Sequence, residues 1–107
     1  MTNVTLVKLR IKPGGKQIWL DWSEELKRRR AEVVATLRSE NVASESCFMS
    51  EDGEYVFYFM EAEDLEAARR AVAEHPHPID VEHKEARRSS LEFVAELKCL
   101  FHFEQRD

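Results

Sequence analysis

Cysteine is scarce in this 107-residue chain, and Cys47 and Cys99 have neither a metal-type spacing nor the numbers for a disulfide framework. Both are expected to be reduced residues of a core or pocket. An intrachain bond is geometrically implausible, because the two are expected on the outer strands and on opposite faces. Positive charge is also short: 16 Lys and Arg stand against 21 Asp and Glu, a formal charge of −5. That balance argues against a protein that holds nucleic acid or an anionic membrane mainly by charge. No segment approaches the ~20 apolar residues of a membrane span. The opening residues MTNVTLVKLRIK lack a basic leader followed by a signal-type core, so a soluble, cytoplasmic protein is expected. Glycine numbers only three. Pro13-Gly14-Gly15-Lys16 matches neither the G-x-x-x-x-G-K-[ST] nor the G-x-G-x-x-G phosphate loop, so it reads as a turn and implies no cofactor. With no repeat, low-complexity tract or linker, residues 1–107 form one domain.

What the chain does have is an aromatic hairpin. In CFMSEDGEYVFYFME, Cys47 to Glu61, the pair Asp52-Gly53 separates two runs of aromatic and β-branched residues and suggests a type I′ turn. Pairing outward from that turn sets Ser50 opposite Tyr55, Met49 opposite Val56, Phe48 opposite Phe57 and Cys47 opposite Tyr58. Both faces of this hairpin are substantially apolar, and a sheet of that kind needs two covers.

Around the hairpin the periodicity changes in a readable order. Asn3 to Ile11 alternates as a strand. From about Lys16 to Glu40, Ile18, Trp22, Leu26, Val33 and Leu37 recur at helical spacing among strong helix formers. Glu63 to Glu74 reads as a shorter helix ended by Pro76 and Pro78, and Asp80 is placed to cap a further turn through Arg87. Leu91 to Phe103 alternates throughout and reads as one long strand. The order β-α-β-β-α-β predicts an α+β, ferredoxin-like domain: a four-stranded antiparallel sheet with both helices on one face. The helices are expected to cover Val7, Leu9, Ile11, Phe48, Phe57 and Phe59. The opposite, mixed face is expected to carry Lys8, Arg10, Glu45, Tyr58 and His102 among apolar residues, and to be buried by a second copy of the chain.

This pattern resembles the dimeric α+β barrel superfamily, which includes antibiotic biosynthesis monooxygenase-like proteins and rhamnose mutarotases. Three stretches resemble, more closely, a family of small bacterial proteins of unknown function: IKPGGKQIWLDWSEELKRRRAEVVATLRSENV, the aromatic hairpin, and HPHPIDVEHKEARRSSLE. The resemblance implies the fold and a homodimer, and it carries no catalytic residue onto this chain.

Two functional readings follow. In one, a homodimer binds a small organic molecule in a cavity on the helix-free side of the sheet, with Lys8, Arg10, Glu45, Tyr58 and His102 as polar contacts. Its sharper form is a cofactor-independent enzyme, in which Tyr58 or His102 moves a proton while Lys8 or Arg10 stabilises negative charge. In the other, a structural or regulatory dimer uses the same residues only to set subunit register. His75, His77 and His83 lie within nine residues beside Asp80, Glu82 and Glu85, but match no ligand motif; they read as a polar loop ending a helix, with His83 as an alternative lining of the barrel mouth. No metal is expected there. Arg29, inside the apolar helical stripe, must reach out, pair with Glu25 or Glu32, or meet a partner chain. Trp19 and Trp22 read as core or interface anchors. RNA recognition motifs share this element order, but EYVFYFME lacks their basic, glycine-containing aromatic signature, so no nucleic-acid partner is expected.

Overall fold

Alternating β-branched and long side chains make Asn3–Ile11 the first strand, β1, and its pairing shapes the rest of the domain in the computed structural model, which describes residues 2–105. The elements that follow are α1 (Gly15–Arg28), α2 (Arg30–Ser39), β2 (Val42–Met49), β3 (Tyr55–Ala62), α3 (Leu65–Glu74), α4 (Pro78–Ser90) and β4 (Leu91–Leu97). The four strands form one antiparallel sheet in the order β2-β3-β1-β4. This is the expected ferredoxin-like α+β arrangement, with β1 and β3 central.

The hairpin pairs in the expected register, Met49 with Val56, Phe48 with Phe57 and Cys47 with Tyr58. Its turn differs from expectation. Gly53 has φ 72°, Asp52 lies outside the left-handed region, and the Gly53 N–H donates to the Ser50 carbonyl. The Asp52 carboxylate instead accepts from the Glu54 N–H and the Ser50 hydroxyl, so it braces the loop from its side chain.

The helix-facing side of the sheet is a correction. β1 pairs with β3 as Leu9 to Val56 and Val7 to Tyr58, so Val56, Tyr58 and Met60 join Val7, Leu9 and Ile11 beneath the helices. Phe48, Phe57 and Phe59 share the opposite face with Leu6, Lys8 and Arg10. The hairpin's register was legible from its turn; its offset against β1 was not, and with a side-chain period of two, a one-residue offset exchanges the faces.

Leu9, Trp19, Val56 and Leu91 form the main core, flanked by Val7, Ile11, Trp22 and Tyr58. A second cluster, Val42, Ala62 and Ala68 with Leu37, Met60 and Leu65, secures α2 and α3 to the other end. The expected single helix to Glu40 is broken at Arg29 (φ −103°, ψ 36°), with no Gly or Pro to mark the break. What distinguishes Arg29 is its bidentate fork onto Glu82 of α4, at 2.9 and 2.6 Å, together with a 2.6 Å bond to Glu32. Pro78 opens α4, whose first turn is closed by the His77 N–H donating to Asp80.

The last strand is shorter than its alternation suggests. A bulge at Val94 shifts the register between Leu9–Phe93 and Lys8–Ala95, and strand structure ends at Leu97. Residues 98–104 continue as irregular chain, with Leu100, Phe101 and Phe103 82%, 74% and 86% exposed. Cys47 and Cys99 are both free and exposed rather than core residues.

Candidate functional site

Four side chains from four elements converge between the sheet and the helices. Trp22 of α1 donates its indole N–H to His83 Nδ1 at 2.8 Å. Tyr58 of β3 lies 3.3 Å from His83 Nε2, and its hydroxyl reaches the Glu45 carboxylate of β2 at 3.0 Å. The His83 ring is enclosed by Trp19, Trp22 and Tyr58, with ring centroids 5.7, 6.1 and 5.7 Å away.

Donor chemistry gives this chain a direction. An indole N–H can only donate, so Nδ1 accepts and the neutral imidazole carries its proton on Nε2. The Nε2–H then points at the Tyr58 oxygen, leaving the phenol O–H to donate to Glu45. Burial keeps the ring neutral by lowering the His83 pKa to about 4, helped by the positive charge of Arg87 and opposed by Asp80. Burial also pushes Tyr58 well above the ordinary phenol range, and the adjacent Glu45 charge adds to this. Glu45 is itself raised, first by burial, against the lowering effect of the Tyr58 hydrogen bond. Cys47, paired with Tyr58 across the hairpin, is exposed as a residue, but partial desolvation of its sulfur raises its pKa, so it is a thiol rather than a thiolate.

Glu45 also borders an open groove of about 650 Å³ between the helices and edge strand β2. Leu26, Val33, Leu37 and Val42 give the groove an apolar lining, while Lys27, Arg30 and Arg38 add positive charge. Beside it, Thr36 bonds both Glu40 and Asp80, and burial raises Glu40 to about 7 despite the Thr36 hydrogen bond.

The five residues singled out from the sequence fall into three places. Glu45 and Tyr58 meet under the helices, on the side opposite to the one expected. Lys8 and Arg10 lie on the helix-free face, over the Tyr55 ring at 4.2 and 5.7 Å, where Arg10 also pairs with Glu92. His102 lies in the irregular tail, 3.1 Å from Glu104. The His75/His77/His83 cluster does not assemble: His77 bonds Ser39 and His83 turns into the core network. Trp22 packs against the core as the anchor the sequence suggested, but its hydrogen bond to His83, and through it to Tyr58, was not foreseen. The one available signal was their position on the inner stripes of two helices, which only packing could join.

Comparison with solved structures gives SnoaB, a cofactor-independent oxygenase from Streptomyces nogalater, at a TM-score of 0.62 and 13% identity, covering 97% of this chain and 98% of that one. At that identity the likeness establishes the shared fold. No curated protein matches the sequence. A family model matches residues 2–107, and the chain belongs to that family, DUF6176, a family of unknown function.

Proposed function

We propose that this protein binds a small amphipathic organic acid in the groove between α1–α2 and β2, and that Glu45 exchanges a proton with it without a cofactor. The observation that carries this reading is the directed chain Trp22–His83–Tyr58–Glu45, which ends on a carboxylate at the groove. A desolvated carboxylate with a raised pKa is suited to general-base work near neutral pH. The apolar lining suits a hydrocarbon or aromatic body, and Lys27, Arg30 and Arg38 suit its acidic group. The name of SnoaB supports the reading only as an analogy of fold.

The helix-free face is proposed to pair with a second copy of the chain. Phe48 is 60% exposed there beside Phe57, Leu97 is exposed on the far edge strand, and the aromatic tail adds further uncovered apolar surface. Light scattering after size exclusion is expected to give a dimer, and Phe48→Glu a monomer; a wild-type monomer at micromolar concentration overturns this part.

The catalytic reading is tested by a thermal-shift screen of phenolic and acidic metabolites, repeated on Glu45→Gln and Tyr58→Phe. A hit is expected to lose most of its stabilising effect in Glu45→Gln. One that stabilises wild type and both variants equally places binding elsewhere. A structural or regulatory dimer is the second reading, favoured by one observation: among the described residues, every buried side-chain polar atom has a partner. That reading expects the substitutions to alter stability and no ligand to bind.

A further inference from the structure

The C-terminal tail returns to the sheet at a point that has no part in the network under the helices. Glu61 of β3, His102 and Glu104 bring three ligand-type atoms within 4.8 Å of one another. Glu61 is only 8% exposed and the Glu104 side chain 7%, so the two carboxylates are shielded, while His102 meets them from the solvent side. His102 Nε2 is 3.1 Å from Glu104 Oε1. Ser44 donates to one Glu61 oxygen at 3.0 Å and the Thr2 hydroxyl approaches the other at 2.8 Å; the same hydroxyl contacts Glu104.

We infer that Glu61, His102 and Glu104 form a binding site for one divalent transition-metal ion, with Ser44 and Thr2 orienting the carboxylates. Two carboxylate oxygens and an imidazole nitrogen suit Zn²⁺ or Mn²⁺, and hydrogen-bonded outer partners of this kind fix ligand orientation. Bond lengths of ~2.0–2.2 Å put two ligands of one ion at most about 4.4 Å apart, so side-chain adjustments of about half an ångström close the set. Because Glu61 belongs to the sheet and the other two ligands to residues 98–104, the ion ties the irregular tail to β3. This site stands or falls independently of the groove and Glu45.

The test is calorimetric titration of the full chain with Zn²⁺ and Mn²⁺, with Co²⁺ absorption reporting the ligand set. One ion per chain is expected for at least one of the two metals. His102→Ala and Glu104→Gln are each expected to weaken binding at least ~10-fold, while His75→Ala/His77→Ala leaves it unchanged. Circular dichroism of the metal-free variants confirms their folding, and both replaced ligands lie in the tail outside the core. Absence of saturable binding up to millimolar metal overturns the inference. So does binding that survives the paired His102→Ala/Glu104→Gln variant, or that is lost with His75 and His77.

Discussion

Tyr58 shows how much one hydroxyl can organise. Its ring packs against the main core while its oxygen joins His83 to Glu45, so Tyr58→Phe keeps the packing and removes only the link. The phenylalanine variant leaves buried groups short of a partner, and a loss of about 1–3 kcal/mol is expected in urea unfolding. Its effect on any reaction should exceed its effect on ligand affinity, because the phenol tunes Glu45 rather than lining the groove. Steady-state kinetics would show a fall in kcat with KM little changed; a change confined to KM would make Tyr58 a binding residue. Glu45→Gln keeps the shape and removes the base, so turnover should fall at least ~100-fold.

At the scale of elements, the junction of α1 with α4 and β4 depends on the absence of a side chain. A methyl group at Gly15 would overlap the carbonyl oxygen of Ser90, where α4 passes into β4. Backbone atoms cannot swing aside, so Gly15→Ala is expected to destabilise the fold by about 1–3 kcal/mol, measured as a lower Tm. Gly14 makes a useful contrast. It has φ +77° and open space around it, so alanine there costs only the left-handed conformation, about 1–2 kcal/mol, with no displacement of α4. Hydrogen exchange across residues 86–92 separates the two: faster exchange is expected in the Gly15 variant alone. Equal exchange in both would show that the contact has no packing role. Arg29 acts at the same scale, since its fork onto Glu82 joins the α1–α2 break to α4.

For the whole molecule, acid titration sets buried His83 against the carboxylates Glu40 and Glu45. His83 binds its proton at about 4 in the fold against an ordinary 6.5, so the unfolded chain is the better proton acceptor between those values and stability rises with pH across them. The difference corresponds to about 3 kcal/mol, present above pH 6.5 and lost as pH falls through 4. Glu40 has the opposite sign. Its pKa rises from 4.5 to about 7, so its stability is full below 4.5 and lost as pH climbs through 7. Glu45, also raised, adds to that decline. The windows overlap, so Glu40 and Glu45 offset part of the His83 gain, and urea unfolding of the wild type is expected to show a shallower rise between pH 4.5 and 6.5 than His83 alone would give. Glu40→Gln removes one of the two opposing carboxylates, and its stability should climb more steeply with pH over the same range than that of the wild type. A variant whose slope matches the wild type's would mean that the fold does not raise the Glu40 pKa.

The ferredoxin-like order, β1 and the hairpin register were all legible in the sequence, because each follows from local periodicity or turn chemistry; Asp80 does brace a helix start, but from the third position of a full helix that begins at Pro78 behind His77. Glu45 and Tyr58 were likewise visible as polar residues interrupting apolar strands. Three things waited for the tertiary structure. The offset of β3 against β1 decided which face the helices cover; it is a long-range choice whose reversal leaves every local pattern intact. The Val94 bulge ended an alternation that the sequence continues to Phe103. His83 joined Trp22 and Tyr58, and His102 joined Glu61, only when separate elements packed. Periodicity along a chain specifies which side of its own element a residue occupies; what that side meets depends on contacts between elements distant in sequence.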